Sequence, residues 1–304
     1  MMKKALPYYA TFLTVLLGFL IFTAYSGEAD NIAPVLTAAD RLPQQVAAVD
    51  LDQAFTFAGE RLPTEVADVR ERLDRELTVN AYWQSSTVLN IKNAARYFPV
   101  IEPILAKNGV PDDFKYLAVA ESSLRPVKSP AGARGIWQFM KATAQDYGLE
   151  VRGEVDERYH VEKATEMACQ YLLKAKEKFG SWTMAAASYN VGRRKLAEQY
   201  ELQRGESYYD LNLNPETDRY VFRIVALKTI MQDPANYGFQ LDAEDYYAPL
   251  DYITLTVDET IPNLGDFAKK YGTNYRELKR LNPWLRRPQL TNSAGKEYQI
   301  RIPR

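Results

Sequence analysis

The pattern of apolar and polar positions predicts helices over most of the chain. Between residues 162 and 179, apolar side chains recur every three or four positions with Lys and Glu opposite, as in an amphipathic helix. This stripe consists of Ala164, Met167, Ala168, Tyr171, Leu172, Ala175 and Phe179. Similar patterns predict a helix over 217–231 and another over 182–188, which Ser181 is placed to cap. The centre of the chain is therefore a helical bundle.

Shorter helical patterns precede this centre. One begins after Pro63, and its apolar face consists of Val66, Val69, Leu73 and Leu77. Residues 87–108 are expected to form two short helices. A proline and two aspartates begin the next helix, over 111–121, because proline suits a first turn and acidic groups suit its positive end. A further short helix from Phe139 is closed by Gly148.

The pattern changes near residue 250. Residues 251–257 alternate between polar and apolar, as in a strand, and residues 298–302 predict a second strand. Two short helices are expected between them, over 264–271 and 274–281. A β-α-α-β unit of about 50 residues is too small for a large core. The fold class is therefore mainly α, with a small α+β domain at its C-terminal end.

Four segments divide the chain. The first starts with two lysines and a long apolar run, which fits a secretory signal or a membrane anchor with a cytoplasmic tip. Either alternative places the bulk of the chain outside the cytoplasm. The predicted segments are a signal peptide or anchor over 1–26, a linker or arm over 27–62, a helical domain over 63–237 and the small domain over 250–304.

Composition restricts the chemistry that the chain can perform. His160 and Cys169 are its single histidine and cysteine. A Ser-His-Asp or Cys-His site would depend on His160 alone, and a zinc site with several such ligands cannot be built. Cys169 has no intrachain disulfide partner and is expected to be a small buried thiol. Any catalysis therefore has to be carboxylate chemistry, with no metal or other cofactor. The net charge of −1, with both signs mixed, does not indicate nucleic acid binding.

Glu121 is the candidate acid. It follows the apolar run 116–120, and a loop rich in Gly, Ala, Ser and Pro leads from it to the apolar cluster 137–140. Apolar surroundings disfavour a charged carboxylate and raise its pKa, so such a group can donate a proton to a leaving oxygen near neutral pH. Gln138 and the aromatic side chains beside it suit the edges and faces of a sugar.

Three ordered motifs resemble those of the lytic murein transglycosylases in the goose-type lysozyme superfamily. They are ESS at 121–123 with GARGIWQFM at 132–140, SYNVG at 188–192, and ETDRYV at 216–221. The pattern is most similar to the D-type membrane-bound enzymes, in which LysM modules follow the catalytic domain. Residues 251–303 resemble a degenerate LysM that shows DETIP where Gly-Asp-Thr-Leu is usual. Ser188 replaces the family's Ala, and His160 replaces a common Asp with only a structural effect expected.

The resemblance implies a lysozyme-like helical domain that cleaves the β-1,4 bond between N-acetylmuramic acid and N-acetylglucosamine. Glu121 would protonate the bridging oxygen and then take the proton of the sugar's 6-hydroxyl as it closes a 1,6-anhydro ring. By analogy with lysozyme, the pKa of this Glu is expected at roughly 6. Tyr220 would orient Glu121, and Glu216 is interpreted as a first-turn acid. The implied substrate-binding residues are Ser122, Gln138, Met140, Tyr189, Asn190 and Tyr220.

Two other functions stay open. A hydrolytic muramidase would use a second carboxylate, such as Asp146 or Asp156, to activate water. A non-catalytic protein would bind glycan strands in the cell envelope. For all three functions the expected partner is peptidoglycan, on the periplasmic side of a bacterial envelope. The membrane is a second partner if residues 1–26 are retained, and no nucleic acid partner is expected.

Overall fold

Ten α-helices and two antiparallel strand pairs form the part of the chain that the computed structural model describes, residues 48–304. The helices are α1 (Ala67–Tyr82), α2 (Gln84–Lys107), α3 (Lys115–Ser122), α4 (Lys141–Asp146), α5 (Val161–Phe179), α6 (Trp182–Val191), α7 (Arg193–Gln203), α8 (Pro215–Gln232), α9 (Leu264–Lys270) and α10 (Tyr275–Leu281). The strands are β1 (Thr56–Phe57), β2 (Glu60–Arg61), β3 (Tyr252–Val257) and β4 (Tyr298–Pro303). The signal or anchor predicted over 1–26 lies outside these residues. Within 48–304, no helix has the length and apolar character needed to cross a membrane.

Helix α8 lies at the centre of the helical domain. It packs against α1, α3 and α6, while α5 packs against α6 and α2. Val221, Ile224 and Val225 of α8 are completely buried because neighbouring helices cover it on several sides. The stripe predicted on α5 is buried apart from Phe179, which packs against the edge of the core. Cys169 is a buried free thiol, as predicted.

Residues 87–108 belong to one continuous helix, so the prediction of two short helices is wrong. Pro99 and Pro103 lie inside α2. Each proline removes one backbone N–H from the helix. Because the two prolines are four residues apart, both missing hydrogen bonds lie on the same side of the helix. Ile91 and Leu105, on either side of the prolines, are buried in the core. Tertiary packing thus keeps the helix in one piece where the local signal favours a break.

The beginning of the described chain also departs from the predicted linker over 27–62. Strands β1 and β2 form a hairpin, and the side chains of Phe55, Phe57 and Leu62 are buried in the helical core. The last residues of the expected linker are therefore part of the folded domain. Val66 is half exposed because it precedes α1 as its N-cap. The buried face of α1 consequently begins at Val69.

Two short helices begin later than predicted. A 3₁₀ turn over Asp112–Phe114 precedes α3. Helix α4 begins at Lys141 because Phe139 is bridged to the backbone of Arg134 in an extended conformation. Both helices otherwise occupy the predicted segments.

The C-terminal unit has the predicted β-α-α-β order. β3 and β4 pair antiparallel, with Tyr252 opposite Pro303 and Val257 opposite Tyr298. Helix α10 packs against β4 and α9 packs against α10, with buried side chains such as those of Leu278 and Leu264. The small core also contains Val155 and Tyr159, which belong to the helical domain. The two domains therefore share one hydrophobic cluster.

Candidate active site

The last turn of α3 positions Glu121. The four residues from Tyr116 to Val119 are buried, whereas Glu121 is partly exposed at the end of the helix. Ser123 ends α3 in the left-handed conformation at φ 55°, and its N–H bonds the carbonyl oxygen of Val119. The backbone therefore turns away directly after Glu121. A carboxyl group is left at the boundary between the core and solvent.

Tyr220 donates a hydrogen bond from its phenolic oxygen to Oε1 of Glu121. The contact predicted between these residues is therefore present. Tyr220 lies on α8, which packs against α3, and its side chain is buried. Rigid helices hold both partners, which fixes the orientation of the carboxyl group.

Burial raises the pKa of Glu121 from 4.5 to about 7. The hydrogen bond from Tyr220 acts in the opposite direction because it stabilises the carboxylate. The charge of Glu216 raises the pKa further, and that of Arg223 lowers it. The direction agrees with the sequence prediction. A carboxyl group that titrates near neutral pH can give up a proton and take one back.

Tyr189 joins α6 to the loop that follows α3. Its phenolic oxygen donates to the carbonyl oxygen of Trp137 at 2.7 Å, and its ring centroid lies 5.4 Å from that of Phe139. Burial raises the pKa of Tyr189 well above its ordinary value, and the charge of Glu121 adds to this effect. Tyr189 is therefore a neutral phenol close enough to Glu121 to feel its charge.

The loop over residues 125–140, called here the 125–140 loop, carries two of the predicted substrate contacts. Gln138 has a left-handed φ of 49°, and its Nε2 donates to the carbonyl oxygens of Gly135 at 2.7 Å and Val127 at 3.3 Å. Its amide nitrogen therefore stabilises the loop. Met140 is 47% exposed at the end of the loop. Its side chain is therefore accessible to a ligand.

The other two predicted contacts, Ser122 and Asn190, bond to the protein. The buried hydroxyl of Ser122 donates to the carbonyl oxygen of Ile136 at 2.8 Å. This bond ties α3 to the 125–140 loop, and the burial disfavours a direct contact between Ser122 and a sugar. Oδ1 of Asn190 accepts a hydrogen bond of 2.7 Å from Thr217, which ties α6 to α8. Asn190 is partly exposed and so remains available to a ligand.

Sequence reasoning missed an ion-pair network behind Tyr220. Glu76 of α1 is 1% exposed and pairs with Arg219 at 2.6 Å and with Arg223 at 3.5 Å. Arg223 also pairs with Glu216 at 3.0 Å. Positions 216, 219, 220 and 223 share one face of α8, and this spacing could have indicated the two arginines. The burial of Glu76 could not be predicted, because it is one of several acidic residues in an amphipathic pattern.

Asp156 is completely buried and is used within the protein. Its Oδ2 accepts from Arg134 at 2.9 Å and from Arg158 at 2.8 Å, and its Oδ1 accepts from Nε of Arg158 at 2.8 Å. A carboxylate whose two oxygens are occupied by guanidinium groups in this way is not free to activate water. The hydrolytic alternative that relies on Asp156 is therefore disfavoured.

A polar cavity beside α1 and α8 is a weaker candidate for the site. It has a volume of about 530 Å³, and Glu121 is not among its lining residues. Its three carboxylates bond within the protein, Asp68 and Asp218 to Arg72 and Asp210 to the N–H of Ser207. The cavity therefore brings no acid of the required kind to a ligand, and Glu121 marks the candidate active site.

Gly135 shapes the 125–140 loop, and its substitution tests this role. A Cβ at position 135 would lie 1.8 Å from the carbonyl oxygen of Arg158, whereas one at Gly132 would meet open space. Both glycines have left-handed φ values, +81° and +91°. We expect Gly135→Ala to lower the free energy of unfolding by about 3 kcal/mol and Gly132→Ala by about 1 kcal/mol. Urea unfolding measures both, and equal losses would contradict the close approach to Arg158.

The raised pKa of Glu121 also predicts how stability depends on pH. Because the folded chain binds this proton more tightly than the unfolded chain, the associated stability is complete below pH 4.5 and is lost as the pH rises through about 7. Glu121→Gln stays neutral at every pH. We expect it to exceed the native chain in stability by about 3 kcal/mol near pH ~9 and to match it near pH ~4. Urea unfolding at both pH values measures the difference, which a pH-independent result would contradict.

Comparisons with protein families place these residues in known domains. Residues 98–212 match the transglycosylase SLT domain, and residues 253–304 match the soluble lytic transglycosylase C-terminal LysM-like domain. The first match includes Glu121, Gln138 and Tyr189 but ends before Tyr220. The helical and α+β units of the structure therefore correspond to separate families.

Individual relatives agree with these domains. The chain is 26% identical over 259 residues to the membrane-bound lytic murein transglycosylase D of Escherichia coli (strain K12), in an alignment that covers 82% of this chain and 55% of that protein. The chain thus spans about half the length of the curated relatives it matches.

Two solved structures are also similar, each over 50% of this chain. An inactive mutant of lytic transglycosylase Slt from Pseudomonas aeruginosa has a TM-score of 0.38 with 17% identity over 26% of its length. The 70 kDa soluble lytic transglycosylase from Escherichia coli has a TM-score of 0.37 with 20% identity over 27% of its length. On its two domain matches, the chain carries a transglycosylase SLT domain followed by a LysM-like domain at its C-terminal end, and it is homologous to the membrane-bound lytic murein transglycosylase D of Escherichia coli.

Proposed function

We propose that this chain cleaves the β-1,4 bond between N-acetylmuramic acid and N-acetylglucosamine in peptidoglycan without water, leaving 1,6-anhydro ends. The observation that carries the proposal is the Glu121 carboxyl group, which receives a hydrogen bond from Tyr220 and has a pKa of about 7. Its position within a transglycosylase SLT domain supports the choice of reaction. The murein in the name of its relative supports the choice of substrate.

The proposed reaction uses the same carboxyl group twice. Protonated Glu121 donates its proton to the bridging oxygen as the bond from that oxygen to the anomeric carbon breaks. The 2-acetamido group of the muramyl sugar assists this departure. The sugar's 6-hydroxyl then attacks the anomeric carbon and transfers its proton to the Glu121 carboxylate. The enzyme returns to its starting state, and no water is consumed.

Tyr220 and the bound sugar each lower a barrier in this scheme. The hydrogen bond from Tyr220 stabilises the carboxylate formed after the first proton transfer. Attack from within one sugar residue profits from the high effective concentration of an intramolecular group. We propose Gln138, Met140, Tyr189 and Asn190 as substrate contacts, and Ser122 as a residue that positions the 125–140 loop.

The state of the neighbouring acids favours this mechanism over hydrolysis. An inverting or retaining hydrolase needs a second carboxylate on the opposite side of the sugar bond. Glu76 and Glu216, which lie on or beside the face of α8 that carries Tyr220, are paired with arginines. Asp156 is held by Arg134 and Arg158. These acids are engaged in ion pairs, and a single-carboxylate mechanism requires none of them.

The proposed substrate places the chain on the periplasmic side of a bacterial envelope. Residues 1–26 would anchor it in the membrane or direct its secretion. We propose a catalytic domain over 63–237, extended by the buried hairpin of β1 and β2, and a LysM-like domain over 250–304.

Product analysis tests the proposal. Purified sacculi incubated with the native chain should release muropeptides whose muramyl ends are one water lighter than hydrolysed ends, as mass spectrometry measures directly. Release of hydrated reducing ends would instead identify a muramidase. Binding of sacculi without any release would support the glycan-binding alternative.

A further inference from the structure

A segment of the helical domain, residues 150–158, is built into the LysM-like domain and is called here the seam segment. The side chain of Val155 is completely buried in the small domain's core, and its backbone forms a β-bridge with Leu285. The N–H of Asp156 bonds the carbonyl oxygen of Trp284 at 2.9 Å. The N–H of Arg286 bonds the carbonyl oxygen of Glu154 at 2.7 Å.

Side chains reinforce this junction on both sides of Val155. The carboxylate of Glu154 accepts hydrogen bonds from the N–H of Thr291 at 2.7 Å and from its hydroxyl and Gln289 at 3.1 Å each. Glu150 pairs with Lys296 at 2.5 Å. Buried apolar contacts, backbone bonds and ion pairs therefore act together, and the junction is a fixed one.

The same segment holds the 125–140 loop. The buried carboxylate of Asp156 binds the guanidinium groups of Arg134 and Arg158. Nη1 of Arg158 in turn donates to the carbonyl oxygens of Phe139 at 3.1 Å and Gly132 at 3.3 Å. Both the middle and the end of the loop are thus tied to Asp156, whose own N–H is tied to Trp284.

We propose that the LysM-like domain positions the substrate-binding loop of the active site, with Asp156 as the residue that links them. This inference rests on the proposed function and adds a role for the second domain in the reaction. The loop, which contains two Gly and two Pro, receives hydrogen bonds from Ser122 and Tyr189 of the helical domain. It is also tied through Arg134 and Arg158 to Asp156. The placement of the loop therefore depends in part on where the seam segment is held.

Electrostatics explains why the position of Asp156 determines the positions of the two arginines bound to it. A carboxylate removed from water needs its charge partners at hydrogen-bond distance, so Arg134 and Arg158 follow any displacement of Asp156. A shift of about 1 Å in a substrate-contacting group can reduce activity by up to about 10²-fold. Glu121 and Tyr220 lie on α3 and α8, outside this link. Loosening the seam should therefore weaken substrate binding and leave the proton transfers intact.

Steady-state kinetics on soluble glycan strands test the proposal. We expect Glu154→Ala, which removes the bonds to Gln289 and Thr291, to raise KM about fivefold with kcat and its pH midpoint unchanged. Asp156→Asn should raise KM by about tenfold or more, and the double variant by less than the product because both act through one link. Glu259→Ala is the matched control, an exposed glutamate of the LysM-like domain that lies outside the seam.

The split between KM and kcat separates positioning from general destabilisation. Partial unfolding removes active molecules and lowers the apparent kcat at constant KM, so that pattern in Glu154→Ala would overturn the proposal. An unchanged KM in both single variants would overturn it as well. Asp156→Asn also loses stability because it removes the only carboxylate that pairs with the buried guanidinium group of Arg158 in the described structure, and Glu154→Ala avoids this complication.

Hydrogen exchange provides a readout that needs no turnover. The amide hydrogens of Arg134 and Gly135, which bond Phe139 and Val127, should exchange at least about fivefold faster in Glu154→Ala and at the native rate in Glu259→Ala. Unchanged protection of these amides in Glu154→Ala would refute the link. A native chain that releases no anhydro product would refute the proposed function alone, since the exchange experiment still reports on the link.

Discussion

Glu121→Gln is expected to reduce kcat for the release of muropeptides from sacculi by about 10³-fold or more. The glutamine side chain has nearly the same size but neither gives up nor accepts a proton near neutral pH. Both proton transfers of the proposed reaction use this one group, so both are lost together. Binding of sacculi, measured by co-sedimentation, should stay within about twofold of the native value because the loop and the aromatic side chains are unchanged.

The control for this variant is Glu166→Gln. Glu166 is a carboxylate near the surface that pairs with Lys107 at 2.9 Å and accepts a hydrogen bond from Asn108. Its substitution should leave kcat unchanged. Turnover by Glu121→Gln within about tenfold of the native rate would remove Glu121 from the mechanism, whatever the product.

The helical domain was predictable wherever one face of an element meets the core. The stripe on α5 follows from this rule, because burial of one helix face selects apolar side chains at helical spacing. α2 was not predictable in the same way, since Pro99 and Pro103 favour a break that packing overrides. The hairpin of β1 and β2 was also missed, because strands of two residues show no periodicity.

Part of the active site could likewise be predicted from the sequence, and part could not. The contact between Glu121 and Tyr220 joins residues 99 positions apart, and the family motifs carried it. Asp156 illustrates what a sequence hides, because an acid in a turn gives the same signal whether it is solvated or buried between two arginines. The contacts between the seam segment and the LysM-like domain could not be predicted from the sequence either. These contacts depend on how the two domains pack together, whereas the sequence pattern predicts the helices and strands of each domain separately.

Tyr220→Phe tests how the hydroxyl of Tyr220 affects the pKa of Glu121. The hydroxyl of Tyr220 stabilises the Glu121 carboxylate, so its removal should raise the pKa of Glu121 above about 7. A hydrogen bond to a charged group is worth about 1.5–3 kcal/mol, so the rise should be about one to two pH units. The pH profile of kcat should move upward by this amount. Near neutral pH, kcat should fall by about 10-fold to 100-fold, because the carboxylate is less stable and less well oriented.

Tyr208→Phe provides the comparison that isolates this contact. Tyr208 is equally buried, but its hydroxyl donates to the carbonyl oxygens of Thr217 and Asp218 at 2.8 and 2.6 Å. Its loss should reduce the free energy of unfolding by about 1 kcal/mol and leave the pH profile in place. A downward shift of the profile in Tyr220→Phe would mean that the phenol stabilises the protonated acid instead. Equal profiles in both variants would show that Glu121 is held by other groups, and burial alone would then account for its acidity.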